Sequence, residues 1–126
     1  MMKSKIETTQ APAAIGPYSQ GISVGDLVFV SGQLPIDPAS GVMPGDIAGQ
    51  TRQSLQNLKN ILEAAGSSMD KVCKTTVFLQ DMDDFVAMNE VYQAAFGEGA
   101  YPARSAVAVA KLPKEALVEI EAIACK

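Results

Sequence analysis

The stretch YPARSAVAVAKLPKEALVEIEAIA, residues 101–124, decides the fold. It contains two apolar runs, at 104–110 and 117–125, and both are predicted to be β-strands. The first run is apolar at successive positions rather than at alternate ones, which is typical of a strand covered on both faces. Three charged residues interrupt these apolar runs: Arg104, Glu119 and Glu121.

Strands and helices alternate along the rest of the chain. Residues 11–21, APAAIGPYSQG, are predicted to form a loop, and residues 27–34, LVFVSGQL, a strand. Residues 71–80 are predicted to form another strand. The predicted order is β-β-β-α-β-α-β-β, with a weak first strand.

Both predicted helices have recognisable ends. Asp46 is predicted to cap a helix that ends before Gly66. The second helix, within MDDFVAMNEVYQAAFG, is predicted to begin at Asp83 or Asp84 and to end at Gly97.

The element order predicts an α+β fold with a mixed six-stranded sheet and two helices on one face. A sheet with apolar residues on both faces needs a second cover, and another copy of the sheet would provide it. We therefore expect a homo-oligomer. The alternative is that the small alanine side chains tolerate a half-exposed face.

Composition indicates one acidic globular domain spanning residues 1–126, with 48% apolar residues and a net charge of −4. Lys and Arg form no cluster, so neither a nucleic acid nor a membrane is expected as a partner. The N-terminal residues lack the apolar segment of a signal peptide, and no run approaches the length of a membrane span. These features predict a cytoplasmic protein.

The inventory of reactive side chains excludes several kinds of catalysis. The chain has no histidine, which excludes Ser-His-Asp and Cys-His mechanisms and His-ligated zinc or haem. Cys73 and Cys125 form no CxxC motif, and each is expected to be a buried, unreactive thiol in a reducing compartment.

Three charged residues of the opening stretch are candidates for a site. Arg104 presents a planar fork suited to a carboxylate, although a surface Arg paired with an acid is the alternative. Glu119 and Glu121 lie two residues apart and therefore point to the same face of one strand. They either form the wet face of that strand or hold and deprotonate a water molecule.

Four further residues are weaker candidates. Asn89 lies in the apolar stripe of the second helix, where it either joins two elements or lines a pocket. Tyr18 lies in a loop, where it either packs down or covers a ligand. Ser31 and Gly32 end a strand, and the glycine either serves the turn or lets a ligand approach closely.

Several segments together resemble the Rid family of reactive-intermediate (enamine/imine) deaminases, in particular its RidA (YjgF-type) subgroup. The segments are IGPYSQG, VSGQLP, KTTVFLQDMDDF, MNEVY and residues 101–124, in order along almost the whole chain. The resemblance implies a chorismate-mutase-like α+β fold and a homotrimer with a central barrel and sites at the subunit clefts. It also implies hydrolysis of 2-aminoacrylate and other 2-imino acids, such as 2-iminopropanoate and 2-iminobutanoate, to 2-oxo acids and ammonia, without a cofactor or metal.

The resemblance assigns roles to individual residues. Arg104 matches the substrate-carboxylate clamp, and Glu119 matches the acid that positions the attacking water. The other positions that line the ligand are matched by Tyr18, Ser31, Gly32 and Asn89. Tyr101 stands where the family often has an aromatic residue. Ala106 replaces the Cys that is common two residues after the clamp, so no thiol acts there.

Two other functions compete with the imine deaminase. One is a non-catalytic binder or sensor of small carboxylates on the same scaffold, since the Arg104 clamp alone would serve binding. The other is an endoribonuclease or translation inhibitor, an activity also ascribed to members of the family. The acidic composition of the chain argues against that activity.

Overall fold

The computed structural model of the protein describes residues 2–126. Its six strands are β1 (Lys3–Ile6), β2 (Gly21–Val24), β3 (Leu27–Gln33), β4 (Val72–Leu79), β5 (Ala103–Ala108) and β6 (Val118–Cys125). They form one sheet in the order β1-β2-β3-β6-β4-β5. Only β4 and β5 are parallel, and every other neighbouring pair is antiparallel. The predicted mixed six-stranded sheet is thus confirmed.

Helix α1 (Ile47–Ala64) begins as predicted, because the Asp46 side chain accepts a hydrogen bond from the Gly49 backbone. Gly66, with φ of +82°, follows its C-terminal end. Helix α2 (Phe85–Phe96) begins after Asp84, one of the two predicted caps, and ends at Gly97 as predicted. Asp84 occupies its N-cap without a side-chain bond, whereas Asp81 caps a short 3₁₀ turn that precedes the helix.

Both helices pack on one face of the sheet. In β6, Val118, Ile120, Ala122 and Ala124 point to this face and are buried. Helix α1 covers β3 and β6 with an apolar stripe of Leu58, Ile61 and Leu62, each fully buried. A buried side chain of this size contributes about 1.5–3 kcal/mol, so this layer is the main source of stability.

The opposite face of the sheet carries no helix and keeps large apolar side chains exposed, among them Leu27, Phe29 and Val107. Strand β5 lies at the edge of the sheet, and all its residues are half-exposed or exposed. The sequence predicts a strand that is covered on both faces, but within the described part of a single chain nothing packs against the open face of β5. No helix among residues 2–126 is long and apolar enough to cross a membrane.

The expectation of buried cysteines was wrong. Cys73 is exposed and Cys125 is half-exposed. The register of β4 against β6 shifts between Val72 and Lys74, which places an extra residue, Cys73, on the open face. The sequence gives no sign of this irregularity.

Candidate active site

Arg104 is held in a fixed orientation on the helix-covered face of β5. Its Nη1 donates a hydrogen bond to Oδ1 of Asn89 on α2, at 2.6 Å. The guanidinium carbon lies 4.8 Å from the ring centre of Tyr92 and 5.4 Å from that of Phe85. The planar group is therefore oriented by one amide and two aromatic rings.

No carboxylate neutralises this guanidinium. Among residues 2–126 the one ion pair joins Lys5 to Glu7, so Arg104 is not the acid-paired surface Arg of the alternative interpretation. A guanidinium with free N–H groups and a fixed plane is suited to bind a carboxylate through two hydrogen bonds.

The cavity in front of Arg104 has a volume of about 510 Å³. Its lining residues are Asn89, Tyr92, Gln93, Tyr101, Pro102 and Arg104. Tyr101 is 48% exposed and lies at this opening. The cavity combines one cation with aromatic walls, which is a favourable environment for a small organic acid.

Tyr92 is the residue of this site that the sequence did not single out as a candidate. Its hydroxyl forms a 2.7 Å hydrogen bond with the hydroxyl of Thr75 on β4, and both side chains are buried. Burial raises the pKa of Tyr92, against the opposing effects of Thr75 and Arg104. The phenol therefore stays protonated and keeps the ring against Arg104. The available signal was its position three residues after Asn89, on the same side of the helix.

Glu119 lies on the open face of β6, against the bulge where the register of β3 shifts between Val30 and Gln33. A Cβ added at Gly32 would lie 2.5 Å from the Glu119 Oε2 atom and 2.9 Å from its carboxyl carbon. A side chain at this position would displace the end of the Glu119 side chain, whereas glycine leaves room for the carboxylate. The group that approaches Gly32 closely within one chain is this carboxylate, and the predicted approach of a ligand stays a prediction.

The environment of Glu119 favours its protonated form. Burial raises the pKa of this carboxyl, and the charge of Glu121 on the same face raises it further. A carboxylate with a raised pKa is a stronger base once ionised, which is the property needed to accept a proton from water.

Ser31 lies in β3 at this bulge, and Tyr18 lies in the loop that joins β1 to β2. The Ser31 hydroxyl donates a hydrogen bond to the Ser19 carbonyl at 2.6 Å, which ties β3 to the loop. The buried Gln20 amide fixes the same loop by donating to the Pro12 carbonyl at 2.8 Å. Tyr18 is 54% exposed and lines a different cavity, of about 650 Å³.

The single chain therefore divides the predicted residues into two groups. Arg104, Asn89 and Tyr101 meet at a cavity on the helix-covered side. Ala106 lies two residues after Arg104 on the same face of β5 and offers only a methyl group. Glu119 does not line their cavity. The second group lies across the sheet and consists of Glu119, Gly32 and Ser31, while Tyr18 lines the separate cavity beside the neighbouring loop. Within residues 2–126, no cluster of three or more His, Cys, Asp and Glu side chains is arranged to hold a metal ion.

Known proteins share this architecture. The sequence profile of the family described as endoribonuclease L-PSP matches residues 8–126. A RutC family protein of Pyrococcus horikoshii is 58% identical over 99% of both chains. The 2-iminobutanoate/2-iminopropanoate deaminase of Escherichia coli is 50% identical, again over 99% of both chains. The crystal structure of E. coli TdcF with bound serine is 50% identical, covers 98% of both chains and has a TM-score of 0.94. The chain belongs to the endoribonuclease L-PSP family, which is the YjgF/Rid family.

Proposed function

We propose that the protein is an imine deaminase that hydrolyses 2-imino acids, of the 2-iminobutanoate and 2-iminopropanoate class, to 2-oxo acids and ammonia. The observation that carries the proposal is the unneutralised, oriented Arg104 guanidinium in a cavity of about 510 Å³. The substrate is small and carries a carboxylate, which the guanidinium would bind. The name of the E. coli relative and the serine bound to TdcF support a small ligand that carries a carboxylate.

The reaction needs orientation more than a strong nucleophile, because a protonated imine is already electrophilic. Arg104 fixes the carboxylate and thereby the adjacent imine carbon. Ionised Glu119 accepts a proton from water as the water oxygen bonds to that carbon, which gives a tetrahedral amino alcohol. The protonated Glu119 then returns this proton to the amine nitrogen, the C–N bond breaks with release of ammonia, and the hydroxyl group loses its proton to solvent as the carbonyl forms.

Arg104 and Glu119 would act on one substrate only if two copies of the chain meet. We place the site between copies in a homotrimer, with Arg104 and Asn89 from one subunit facing Glu119, Gly32 and Tyr18 from the next. The exposed apolar open face and the unpaired edge of β5 support this packing. The two free cysteines are consistent with a cytoplasmic setting.

A trapping assay tests the proposal. An amino-acid oxidase generates 2-imino acids, and semicarbazide captures those that survive. The wild type is expected to suppress capture, whereas Arg104→Ala and Glu119→Gln are not. Loss of the pair between Arg104 and the substrate carboxylate is expected to weaken the binding of the reacting substrate by about 2–5 kcal/mol. Arg52→Ala is the control, since Arg52 is exposed on α1 and lies outside the cavity.

The same assay separates the alternatives. Binding of a 2-oxo acid by the wild type without any loss of capture would replace the enzyme with a small-carboxylate sensor. The family description makes RNA cleavage the second activity to test. The net charge of −4 gives little electrostatic attraction to phosphates, so we expect no cleavage of single-stranded RNA.

A further inference from the structure

The two cysteines of the chain lie in contact although 52 residues separate them. Their sulfur atoms are 3.5 Å apart, and each lies 3.6 Å from the carbonyl oxygen of Lys71. Cys73 lies at the bulge of β4, and Cys125 ends the neighbouring strand β6. Neither residue has a role in the proposed deaminase.

The backbone around Cys125 is fixed on both sides. The Ser67 hydroxyl donates to the Cys125 carbonyl at 2.5 Å, and the Lys126 amide donates to the Asp26 carbonyl at 2.9 Å. Cys73 is exposed, so its side chain can rotate. The sulfurs need to approach by about 1.5 Å to reach the disulfide length of about 2.05 Å.

We propose that Cys73 and Cys125 form a redox-active dithiol, which a small-molecule disulfide converts to an intrachain disulfide between β4 and β6. The site lies six residues along β6 from Glu119, or about 20 Å at the rise of an extended strand. It is therefore separate from the proposed catalytic group.

The reaction proceeds by two exchanges. One cysteine loses its proton to solvent, and its thiolate attacks the small disulfide, which forms a mixed disulfide and releases one small thiolate. The second cysteine, already in contact, then loses its proton and attacks the protein sulfur of the mixed disulfide, which releases the other small thiolate. Both released thiolates take up protons, so two protein thiols are oxidised and one small disulfide is reduced to two thiols.

The contact with Cys125 affects the pH at which Cys73 reacts. That contact is the main cause of a raised pKa for the Cys73 thiol, with burial second. Because the thiolate is the attacking species, exchange should be faster at about pH 8 than at neutral pH. The disulfide would close a loop that contains both Asn89 and Arg104, and a cross-link of this length raises the melting temperature by roughly 10 °C.

Oxidised glutathione is the probe for the test. The full-length native protein is incubated with an excess of it at about pH 8, and the intact mass and free thiols are then measured. We expect the wild type to lose both thiols and carry no glutathione, because the neighbouring cysteine displaces it. The matched variants Cys73→Ser and Cys125→Ser each lack the displacing thiol and should retain one stable glutathione adduct.

Two results would overturn the proposal. One is a wild type that keeps a glutathione adduct, which would mean that the second thiol cannot reach the first. The other is a native wild type that keeps both thiols while the denatured chain reacts, which would mean that packing between copies shields the pair. Both results are measured on the wild type, so the test remains valid even if a serine variant folds poorly.

Discussion

Arg104 and Glu119 lie on opposite faces of one sheet. Arg104 is opposite Thr75 of β4, whose side chain is buried beneath α2, whereas Glu119 is opposite Phe78, three residues further along β4. Side chains alternate between the two faces along a strand, so Thr75 and Phe78, three residues apart, point to different faces. Arg104 and Glu119, which pair with them, therefore also point to different faces. One chain thus contains both halves of the proposed site but does not join them.

The contact between Gly32 and Glu119 predicts that Gly32→Ala impairs catalysis without unfolding the protein. The new methyl group would lie 2.5 Å from Oε2 and displace the carboxylate. A shift of this kind is expected to lower kcat/KM by on the order of tenfold to a hundredfold. Gly45→Ala is the control, since a Cβ at Gly45 has no neighbour within 4 Å. Equal kcat/KM for the two variants would contradict the positioning of Glu119 by this contact.

Replacement of Arg104 by lysine should raise KM more than it lowers kcat. Lysine keeps the charge but loses the planar fork that stacks on Tyr92 and pairs with a carboxylate through two bonds. We expect KM for a 2-imino acid to rise by roughly tenfold, as for the loss of one charge-assisted hydrogen bond. Arg52→Lys on the exposed face of α1 should leave KM unchanged. An unaltered KM in Arg104→Lys would show that charge alone suffices.

The hydrogen bond between Tyr92 and Thr75 predicts a coupled effect on stability. Tyr92→Phe leaves the buried Thr75 hydroxyl without its 2.7 Å partner and should lower the free energy of unfolding by about 1–3 kcal/mol. The double variant with Thr75→Val removes both polar groups, so its loss should be smaller than the sum of the two single losses. Denaturant unfolding of the four proteins measures this, and simple additivity would argue against the bond.

The pKa of Glu119 predicts a pH profile that depends on Glu121. Glu119 must be ionised to accept a proton, so kcat/KM should rise as pH increases through its raised pKa. Glu121→Gln removes the second cause of that shift and should move the acid limb of the profile to lower pH, whereas Glu63→Gln, exposed on α1, should not move it. If the acid limb lies at the same pH in the wild type, Glu121→Gln and Glu63→Gln, the charge of Glu121 does not influence the catalytic carboxylate.

The raised pKa of Glu119 also makes the free energy of unfolding depend on pH. The folded-state pKa of Glu119 lies above its ordinary value, so the folded protein binds this proton more tightly than the unfolded chain. The contribution of Glu119 to the free energy of unfolding should therefore fall as pH rises from the ordinary Glu range through the raised pKa.

Local signals in the sequence account for much of the fold. The cap at Asp46 and the glycine at position 66 place α1, and the alternation in β6 places Glu119 and Glu121 on one face, as the structure confirms. Asp84 occupies the N-cap of α2 as predicted, but its side chain makes no capping bond, and the capping bond nearby is made by Asp81 at the preceding 3₁₀ turn.

Non-local geometry explains what the sequence did not reveal. The alternation of side chains shows which residues of one strand share a face, but it cannot compare residues of two different strands. Only the register of β5 and of β6 against β4 shows that Arg104 and Glu119 lie on opposite faces. The contact of Cys73 with Cys125 depends on a bulge and on a pairing across 52 residues. The role of Tyr92 was hidden because an aromatic residue in a helix stripe usually packs in the core.

Mixing the two inactive variants tests the central claim, a deaminase site shared between copies, most directly. Arg104→Ala and Glu119→Gln are expressed separately and together, and imine hydrolysis is measured by semicarbazide capture. In a cyclic oligomer each site takes Arg104 from one subunit and Glu119 from the next, so random mixing of the variants makes roughly a quarter of the sites intact. We predict about a quarter of wild-type activity in the mixture and almost none in either variant alone. A mixture as inactive as its components, beside an active wild type, would contradict the shared site.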